Sequence, residues 1–295
     1  MGNYTGIKKK KKKAEVKYKG YKLNIIDLPG TYSISAYSEE ERYVRRYIFD
    51  TIPDIVINVV DGSNLGRNLF LTTQLIDMDV KMVMALNMFD ELKHKGDRFD
   101  YKLFGGMIGV PIVPTVASKK EGIEELFDTI IDVYNGTNKI MRHVHINYGE
   151  TIERCIDRLS TRIKESESYS EKVAARYYSI RLLEKDEEII NETETWIDHK
   201  DLHEKAKKQI QKIESTYDDD SETVITEARY GFISGALKET YFLNPYRYLH
   251  KSQSKEEEKH HRHKDARYRY HRLNNENFAF HQYSSITDKV DNVLL

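Results

Sequence analysis

Four residues at the end of a predicted strand have the chemistry to bind a phosphate group with its metal ion. The strand is expected at residues 22–27, and it leads into Asp27-Leu28-Pro29-Gly30. The carboxylate of Asp27 can hold Mg²⁺ through water, and Gly30 lets a backbone N–H approach a terminal phosphate with no side chain in the way. Taken alone, this tetrapeptide is more typical of a simple turn that begins with Asp.

A second group, Asn87-Met88-Phe89-Asp90, places a carboxylate three residues after an amide. Guanine presents N1–H and its exocyclic amine as adjacent donors, and the two oxygens of Asp90 can accept from both. Adenine has an acceptor at N1 and is disfavoured. Asn87 can help to hold the base and to connect neighbouring loops. An isolated Asn-x-x-Asp is more often explained by a helix cap.

A third group, Val116-Ala117-Ser118, follows a later apolar segment. The order of the three groups is the order of the nucleotide-binding loops in a guanine-nucleotide-binding protein. Because each group follows a predicted strand, all three are expected at the carboxyl edge of one sheet, where open α/β sheets bind their ligands. The combination therefore predicts a guanine-nucleotide site.

Apolar strands that alternate with amphipathic helices are expected to position these groups. Strands are predicted at residues 14–19, 22–27, 55–61, 82–87 and 111–115. The first two form a hairpin around Gly20-Tyr21, whereas the last three are apolar runs of the kind that a parallel sheet buries on both faces. Helices are predicted at residues 39–49, 69–78, 102–108 and 123–134. The fold class is therefore α/β.

The overall charge excludes a uniformly basic nucleic-acid-binding protein, because 47 Lys and Arg residues face 48 Asp and Glu residues. Six consecutive lysines at 8–13 are a local exception. The single cysteine, Cys155, cannot form an internal disulfide, which is consistent with a reducing cytosol. The apolar runs are much shorter than the ~20 residues that cross a bilayer, and no secretory signal is visible.

Several segments together resemble the G domain of bacterial ferrous iron transport protein B (FeoB). The segments are 2–6, 27–33, 36–38, 58–61, 64–69 and 85–90. Residues 228–235 resemble the end of that family's helical domain, which acts like a guanine nucleotide dissociation inhibitor. Residues 287–291 resemble the segment before its first membrane helix. The resemblance implies a P-loop GTPase-like fold, binding of GTP or GDP with Mg²⁺, and a membrane transport domain as partner.

The family's Gly-rich phosphate loop with Gly-Lys-Ser/Thr is not found in residues 1–295. The expected sheet therefore lacks its first strand, which lies at the centre in this class, and two inner edges are expected to be unpaired. Lys8 stands at the family's magnesium-binding threonine. These departures predict little or no GTP hydrolysis and no catalytic residue. They suggest an incomplete product of a larger gene, with a nucleotide-free pseudo-G-domain as the alternative.

Four regions are predicted: a truncated G domain, an all-helical domain, a linker rich in His, Tyr and Arg, and the start of a juxtamembrane helix. They span residues 1–146, 147–242, 243–284 and 285–295. By resemblance, guanine is expected at Asn87–Asp90 with support from Val116–Ser118, and Mg²⁺ and the terminal phosphate at Asp27–Gly30.

The implied function is the guanine-nucleotide-dependent regulatory part of a ferrous iron transporter. The full-length family implies the cytoplasmic side of the bacterial inner membrane, whereas these residues alone are expected to be soluble. The basic and aromatic residues 267–272 favour an anionic membrane surface over nucleic acid. Two alternatives are a non-catalytic interaction module on the same scaffold and an RNA-associated GTPase. The six histidines between 250 and 281 are interpreted as a solvated linker rather than a metal site.

Overall fold

The computed structural model describes residues 12–35 and 37–244. Its seven β-strands in this part of the chain are β1 (Lys12–Tyr18), β2 (Tyr21–Asp27), β3 (Val56–Asp61), β4 (Met82–Asn87), β5 (Arg98–Phe99), β6 (Ile112–Pro114) and β7 (Tyr241–Phe242). The helices of the first part are α1 (Glu39–Thr51), α2 (Leu65–Asp77), α3 (Phe89–His94), α4 (Tyr101–Ile108) and α5 (Ile123–Tyr134). Those of the second part are α6 (Glu150–Lys164), α7 (Ala175–Leu183), α8 (Glu187–Thr193), α9 (His199–Tyr217) and α10 (Ser221–Thr240).

Strands β3, β4 and β6 form a parallel sheet with β4 at its centre. All residues of β4 from Met82 to Leu86 are buried, because helices cover both faces of this strand. Val83 and Ala85 pack with α5 on one face, whereas their neighbours in sequence point into the larger core on the other face. The predicted strand 82–87 is confirmed, and the α/β fold class with a parallel sheet is confirmed with it.

Strands β1 and β2 form a separate antiparallel hairpin. Its turn is Lys19-Gly20, one residue earlier than the predicted Gly20-Tyr21, and both turn residues have positive φ angles of 45° and 83°. This backbone conformation matches the twist of the flanking strands. The tip of the hairpin lies against α5, where Lys19 pairs with Asp128 and the ring of Tyr18 lies 5.4 Å from that of Phe127. In the described residues the hairpin does not join the parallel sheet.

The second part of the chain is helical, as predicted. The predicted apolar stripe of α6 is entirely buried; it consists of Ile152, Ile156, Leu159 and Ile163. Cys155 lies on the same side, and burial raises the pKa of its thiol. The α5 stripe was predicted less accurately, because Val133 is buried and Tyr134 is 52% exposed.

The helical part packs onto the α/β part through α10, which contacts α2 and α4. A buried ion pair joins Arg229 of α10 to Asp77 of α2, with 3.2 Å between Nη2 and Oδ2, and both side chains are 1% exposed. Arg229 also pairs with Glu184 at the end of α7. After α10 the chain forms β7, which pairs with β5 of the α/β part. Sequence patterns predicted neither this strand pair nor α3.

Residues 245–295 and 1–11 lie outside the described residues, and with them nearly all of the predicted linker, the predicted juxtamembrane helix and the lysine run. Within the described part, no helix combines the length and the apolar character needed to cross a membrane. The positions of the two inner domain boundaries, at 146 and 242, remain predictions.

Candidate nucleotide-binding site

The loops that follow β4 and β6 are joined by the side chain of Asn87. Its Oδ1 accepts a hydrogen bond from the backbone N–H of Ala117 at 3.1 Å and another from the hydroxyl of Thr115 at 3.4 Å. The backbone N–H of Phe89 also donates to the carbonyl of Thr115 at 3.3 Å. Parallel pairing of β4 with β6 brings the ends of both strands to one edge of the sheet. The second and third predicted groups are therefore neighbours in space.

Asp90 lies in the first turn of α3, and its carboxylate is paired with Lys119. The distance from Lys119 Nζ to Asp90 Oδ2 is 2.7 Å, and both side chains are substantially exposed. The hydrogen bond from this ammonium group holds the pKa of Asp90 below its usual value, so the carboxylate is ionised at neutral pH. Met88, just before the helix, adopts a left-handed conformation with a φ angle of 54°. This conformation turns the chain from β4 into α3.

The loop with Val116, Ala117 and Ser118 is held on both sides. Val116 is buried and forms a two-residue bridge with Glu121, whereas Ala117 and Ser118 are exposed in a short 3₁₀ helix that ends at Lys119. Gly122 closes the loop with a φ angle of 76°, and a Cβ atom there would lie only 2.1 Å from the carbonyl oxygen of Pro114. A glycine is therefore required where the loop returns to the sheet.

The first predicted group, Asp27–Gly30, lies at the end of β2. Asp27 and Gly30 are exposed, whereas Leu28 and Pro29 are half-buried and Leu28 packs against the main core. No heavy atom lies within 4 Å of the position that a Cβ would take on Gly30. This loop is not hydrogen-bonded to the other two groups in the described part of the chain. The structure thus connects the second and third groups directly, whereas it shows no such connection to the first among the described residues.

The chain after Gly30 connects this loop to the rest of the protein. Thr31 and Ser33 form a local turn in which the Thr31 hydroxyl donates to the Ser33 carbonyl at 2.6 Å. The N–H of the buried Ile34 donates to the side-chain oxygen of Gln74 in α2 at 2.7 Å. Tyr37 donates its hydroxyl proton to the carboxylate of Glu222 in α10. Ile34 and Tyr37 therefore connect this segment to both parts of the molecule.

Helix α1, which follows this segment, is tied to the helical part by Arg45. The guanidinium group binds Asp186 at 2.5 and 2.9 Å and Glu188 at 2.6 Å. The side chain of Arg45 is 2% exposed and that of Asp186 is 4% exposed. A buried, bidentate ion pair of this kind fixes the orientation of both partners.

Sequence reasoning missed Lys119 as part of the site. It is the residue directly after Ser118, and its position next to Asp90 depends on two loops that are 29 residues apart in the chain. The available signal was the lysine that directly follows the third group. With Lys119 included, the edge of the sheet offers a carboxylate, a flanking ammonium group and a braced loop, which suits a planar base that donates two hydrogen bonds.

The α/β sheet with these loops at its edge, followed by a helical part, defines a G domain with an attached helical domain. Comparison with family models agrees: residues 1–130 match Ferrous iron transport protein B, and residues 148–241 match the FeoB cytosolic helical domain. The chain belongs to the FeoB family.

Two relatives show how much of the family's length this chain covers. The Fe(2+) transport protein A/Fe(2+) transporter FeoB fusion protein of Porphyromonas gingivalis is 46% identical over 82% of this chain and 29% of that protein. The Fe(2+) transporter FeoB of Campylobacter jejuni is 39% identical over 45% of this chain and 22% of that protein. The chain therefore spans less than a third of the length of both relatives.

Solved structures support the same assignment. A GDP-bound variant of the S. thermophilus FeoB G-domain has a TM-score of 0.71 and 30% identity, covering 81% of this chain and 89% of the solved chain. The cytosolic domain of T. maritima FeoB in a GDP form has a TM-score of 0.66 and 27% identity, covering 81% of this chain and 88% of the solved chain. Both the α/β part and the helical part thus have counterparts of known structure.

Proposed function

We propose that this chain is the guanine-nucleotide-binding, regulatory part of a ferrous iron transporter. The observation that carries the proposal is the connection between the loops after β4 and β6, in which Asn87 holds the backbone of Ala117 and Lys119 pairs with Asp90. These contacts assemble the base-binding half of a nucleotide site. The GDP-bound S. thermophilus relative and the names of the transporters above support the ligand and the transport context.

Asp90 carries base recognition in this proposal. Its ionised carboxylate accepts from N1–H and from the exocyclic amine of guanine. Lys119 occupies this carboxylate in the structure, so entry of the base would have to displace its ammonium group from Asp90. Asn87 and the residues Val116–Ser118 support the base from the neighbouring loop.

Asp27 and Gly30 fit the magnesium and phosphate end of the nucleotide. Asp27 is an exposed carboxylate, the type of ligand that Mg²⁺ takes directly or through water. Gly30 is exposed and has no side chain, so a terminal phosphate could approach its backbone N–H. When bound, Mg²⁺ would neutralise part of the phosphate charge. The chain's own contribution is to hold this loop at the end of β2.

Residues 1–295 contain no Gly-x-x-x-x-Gly-Lys-Ser/Thr phosphate loop, so we expect these residues alone to bind nucleotide more weakly than about 1 μM. The residue after Gly30 is Thr31, at the place where many GTPases have a glutamine that orients the attacking water. We therefore expect little or no GTP hydrolysis.

Contacts from residues 31–37 and from α1 would pass the nucleotide state to the helical part. Tyr37 reaches Glu222, and Arg45 reaches Asp186 and Glu188. A shift of the Asp27–Gly30 loop would therefore change contacts made by α8, with its capping residue Asp186, and by α10. In the whole transporter, the helical part would relay this change to a membrane domain at the cytoplasmic face of the inner membrane and so couple guanine nucleotide to iron uptake.

The test compares the affinities of the purified chain for GDP, xanthosine diphosphate and ADP by equilibrium dialysis. The native chain should bind GDP at least about tenfold more tightly than the other two, which is about 1.4 kcal/mol. Asp90→Asn presents an amide N–H where the carboxylate accepted a donor, so its preference should change to xanthine, which has a carbonyl in place of the exocyclic amine. Glu91→Gln removes an exposed neighbouring carboxylate and serves as the matched control.

Two results would contradict the proposal. If Asp90→Asn keeps the native preference for GDP, Asp90 does not read the base. If the folded chain binds no guanine nucleotide at millimolar concentration, the site has another function. Magnesium-dependent binding tighter than micromolar would instead show that the expected loss of affinity is wrong.

A further inference from the structure

Two histidines in the segment between α5 and α6 are in direct contact at the surface. The Nε2 atoms of His143 and His145 lie 2.9 Å apart. The planes of the two rings are at 86° and their centroids are 4.2 Å apart. Rings joined end to end through such a contact would have more distant centroids, so the two Nε2 atoms converge at an angle. A convergent pair of this kind can share one partner atom.

Asp79, two residues after the end of α2, contacts one of these rings. Its Oδ1 lies 2.6 Å from Nδ1 of His143, a contact that favours the tautomer with the proton on Nδ1 and the lone pair on Nε2. In that tautomer, Nε2 of His143 accepts a hydrogen bond from the Nε2–H of His145. Transfer of the His145 proton to its own Nδ1 would present a second lone pair at the same point.

The spacing of the two nitrogen atoms suits a metal ion in place of that proton. Bonds of about 2.0–2.1 Å, as in zinc–histidine sites, from one ion to two nitrogens at this separation meet at about 90°. Opening the pair by a few tenths of an ångström would give the wider angle of a tetrahedral ion. The bond from Asp79 to Nδ1 of His143 is the carboxylate–histidine arrangement that orients metal-binding imidazoles.

We propose that His143 and His145 chelate a divalent transition-metal ion of the class that prefers imidazole ligands, with Asp79 orienting His143. In the described part of the chain no three His, Cys, Asp or Glu side chains are placed to surround a metal ion. The site is therefore a two-histidine chelate, and water fills its remaining positions. It is separate from the nucleotide site and does not depend on the proposed function.

The surroundings of the pair are compatible with a cation. Both histidines and Asp79 line an open cleft of about 800 Å³ that also contains Glu153 and Arg176. Arg176 is bound to Glu153 at 2.7 and 2.8 Å, so its positive charge is largely compensated.

The experiment titrates Zn²⁺ into the full chain by calorimetry, with the native protein, His143→Gln, His145→Gln and the double variant. A chelate needs both nitrogens, so each single variant should reduce the zinc affinity of this one site at least tenfold. The double variant should reduce the affinity little further. Asp79→Asn should reduce the affinity by about 10–100-fold. His94→Gln, at the exposed end of α3, should leave the titration unchanged.

The six histidines at 250–281 provide a competing location. Oxidative cleavage with Fe²⁺, ascorbate and peroxide, read by mass spectrometry, locates the ion along the chain, and cuts next to residues 143–145 are expected. The proposal is overturned if native and double-variant proteins give the same zinc titration, or if cleavage is confined to 250–281. The proposal is also overturned if each single variant loses only half of the zinc binding that the double variant loses. That result would mean that the two histidines bind zinc independently.

Discussion

Replacing Arg45 with methionine should destabilise the protein far more than the same change at its neighbour, Arg46. Both arginines lie in α1 and both reach the carboxylate of Glu188. Arg45 is 2% exposed and also binds Asp186, whereas Arg46 is 69% exposed and pairs with Glu188 at the surface. The pair therefore separates the effect of burial from the effect of charge.

The magnitude follows from what each change leaves behind. Methionine at 45 fills much of the volume of the arginine but leaves the carboxylate of Asp186 buried without its cation. Breaking a buried ion pair in this way costs about 3–5 kcal/mol. The exposed pair at Arg46 contributes about 0.2–1 kcal/mol, since water screens it and the side chain is mobile.

Urea unfolding followed by circular dichroism measures both variants. We expect Arg45→Met to lower the urea concentration at the midpoint by about 1 M or more. Arg46→Met should shift this midpoint by at most a few tenths of 1 M. The slope of the unfolding free energy against urea concentration should stay close to the native value, since a change in slope would indicate a different unfolded or native state. Equal shifts for the two variants would refute the reasoning, because they would mean that the buried contact between α1 and the helical part contributes no more than a surface pair.

Two further predictions concern single positions. Gly122→Ala should lower the free energy of unfolding by about 1–3 kcal/mol, because the backbone there is left-handed and the new Cβ meets the Pro114 carbonyl. Gly106→Ala lies within α4 with open space at the Cβ position, so it should raise the free energy of unfolding by about 0.5–1 kcal/mol. Thermal melting of both variants checks the pair, and a stable Gly122→Ala protein would contradict the prediction. Hydrogen bonding from Ser166, and then from Arg162, lowers the pKa of Asp198 in the folded state. Its contribution to stability should therefore be complete above about pH 4 and disappear as the pH falls through the folded-state pKa. Native protein and Asp198→Asn should accordingly differ in stability at pH 7 and converge in acid-unfolding curves, whereas a constant difference would argue against this role.

Local sequence patterns were sufficient for the elements whose burial is regular. The strand at 82–87 and the helix at 123–134 have the bounds that their apolar patterns predicted. The buried stripe of α6 followed from its helical spacing. In each case the signal is contained in consecutive residues, so it can be read without knowledge of the partner element.

Contacts between distant parts of the chain were not predictable in this way. Arg45 has the charge and periodicity of an exposed helix residue, and only its partner Asp186, 141 residues later, explains its burial. The strands β5 and β7 have two residues each, which is too short to show the alternation of apolar and polar residues that predicts a strand. Lys119 was missed for the same reason, since its partner Asp90 lies in α3, 29 residues earlier in the chain.

The pairing of β5 with β7 determines which contacts would first bear a pulling force applied through the residues after Asn244. Asp97, next to β5, accepts hydrogen bonds from the hydroxyl of Tyr241 at 2.8 Å and from the backbone N–H of Asn244 at 2.9 Å. The polypeptide therefore leaves the described structure from beside the α/β part, although the residues just before belong to the long helix α10. Tension applied through the residues that follow Asn244 would therefore act on the bonds to Asp97 and on the β5–β7 pair before it reached α10.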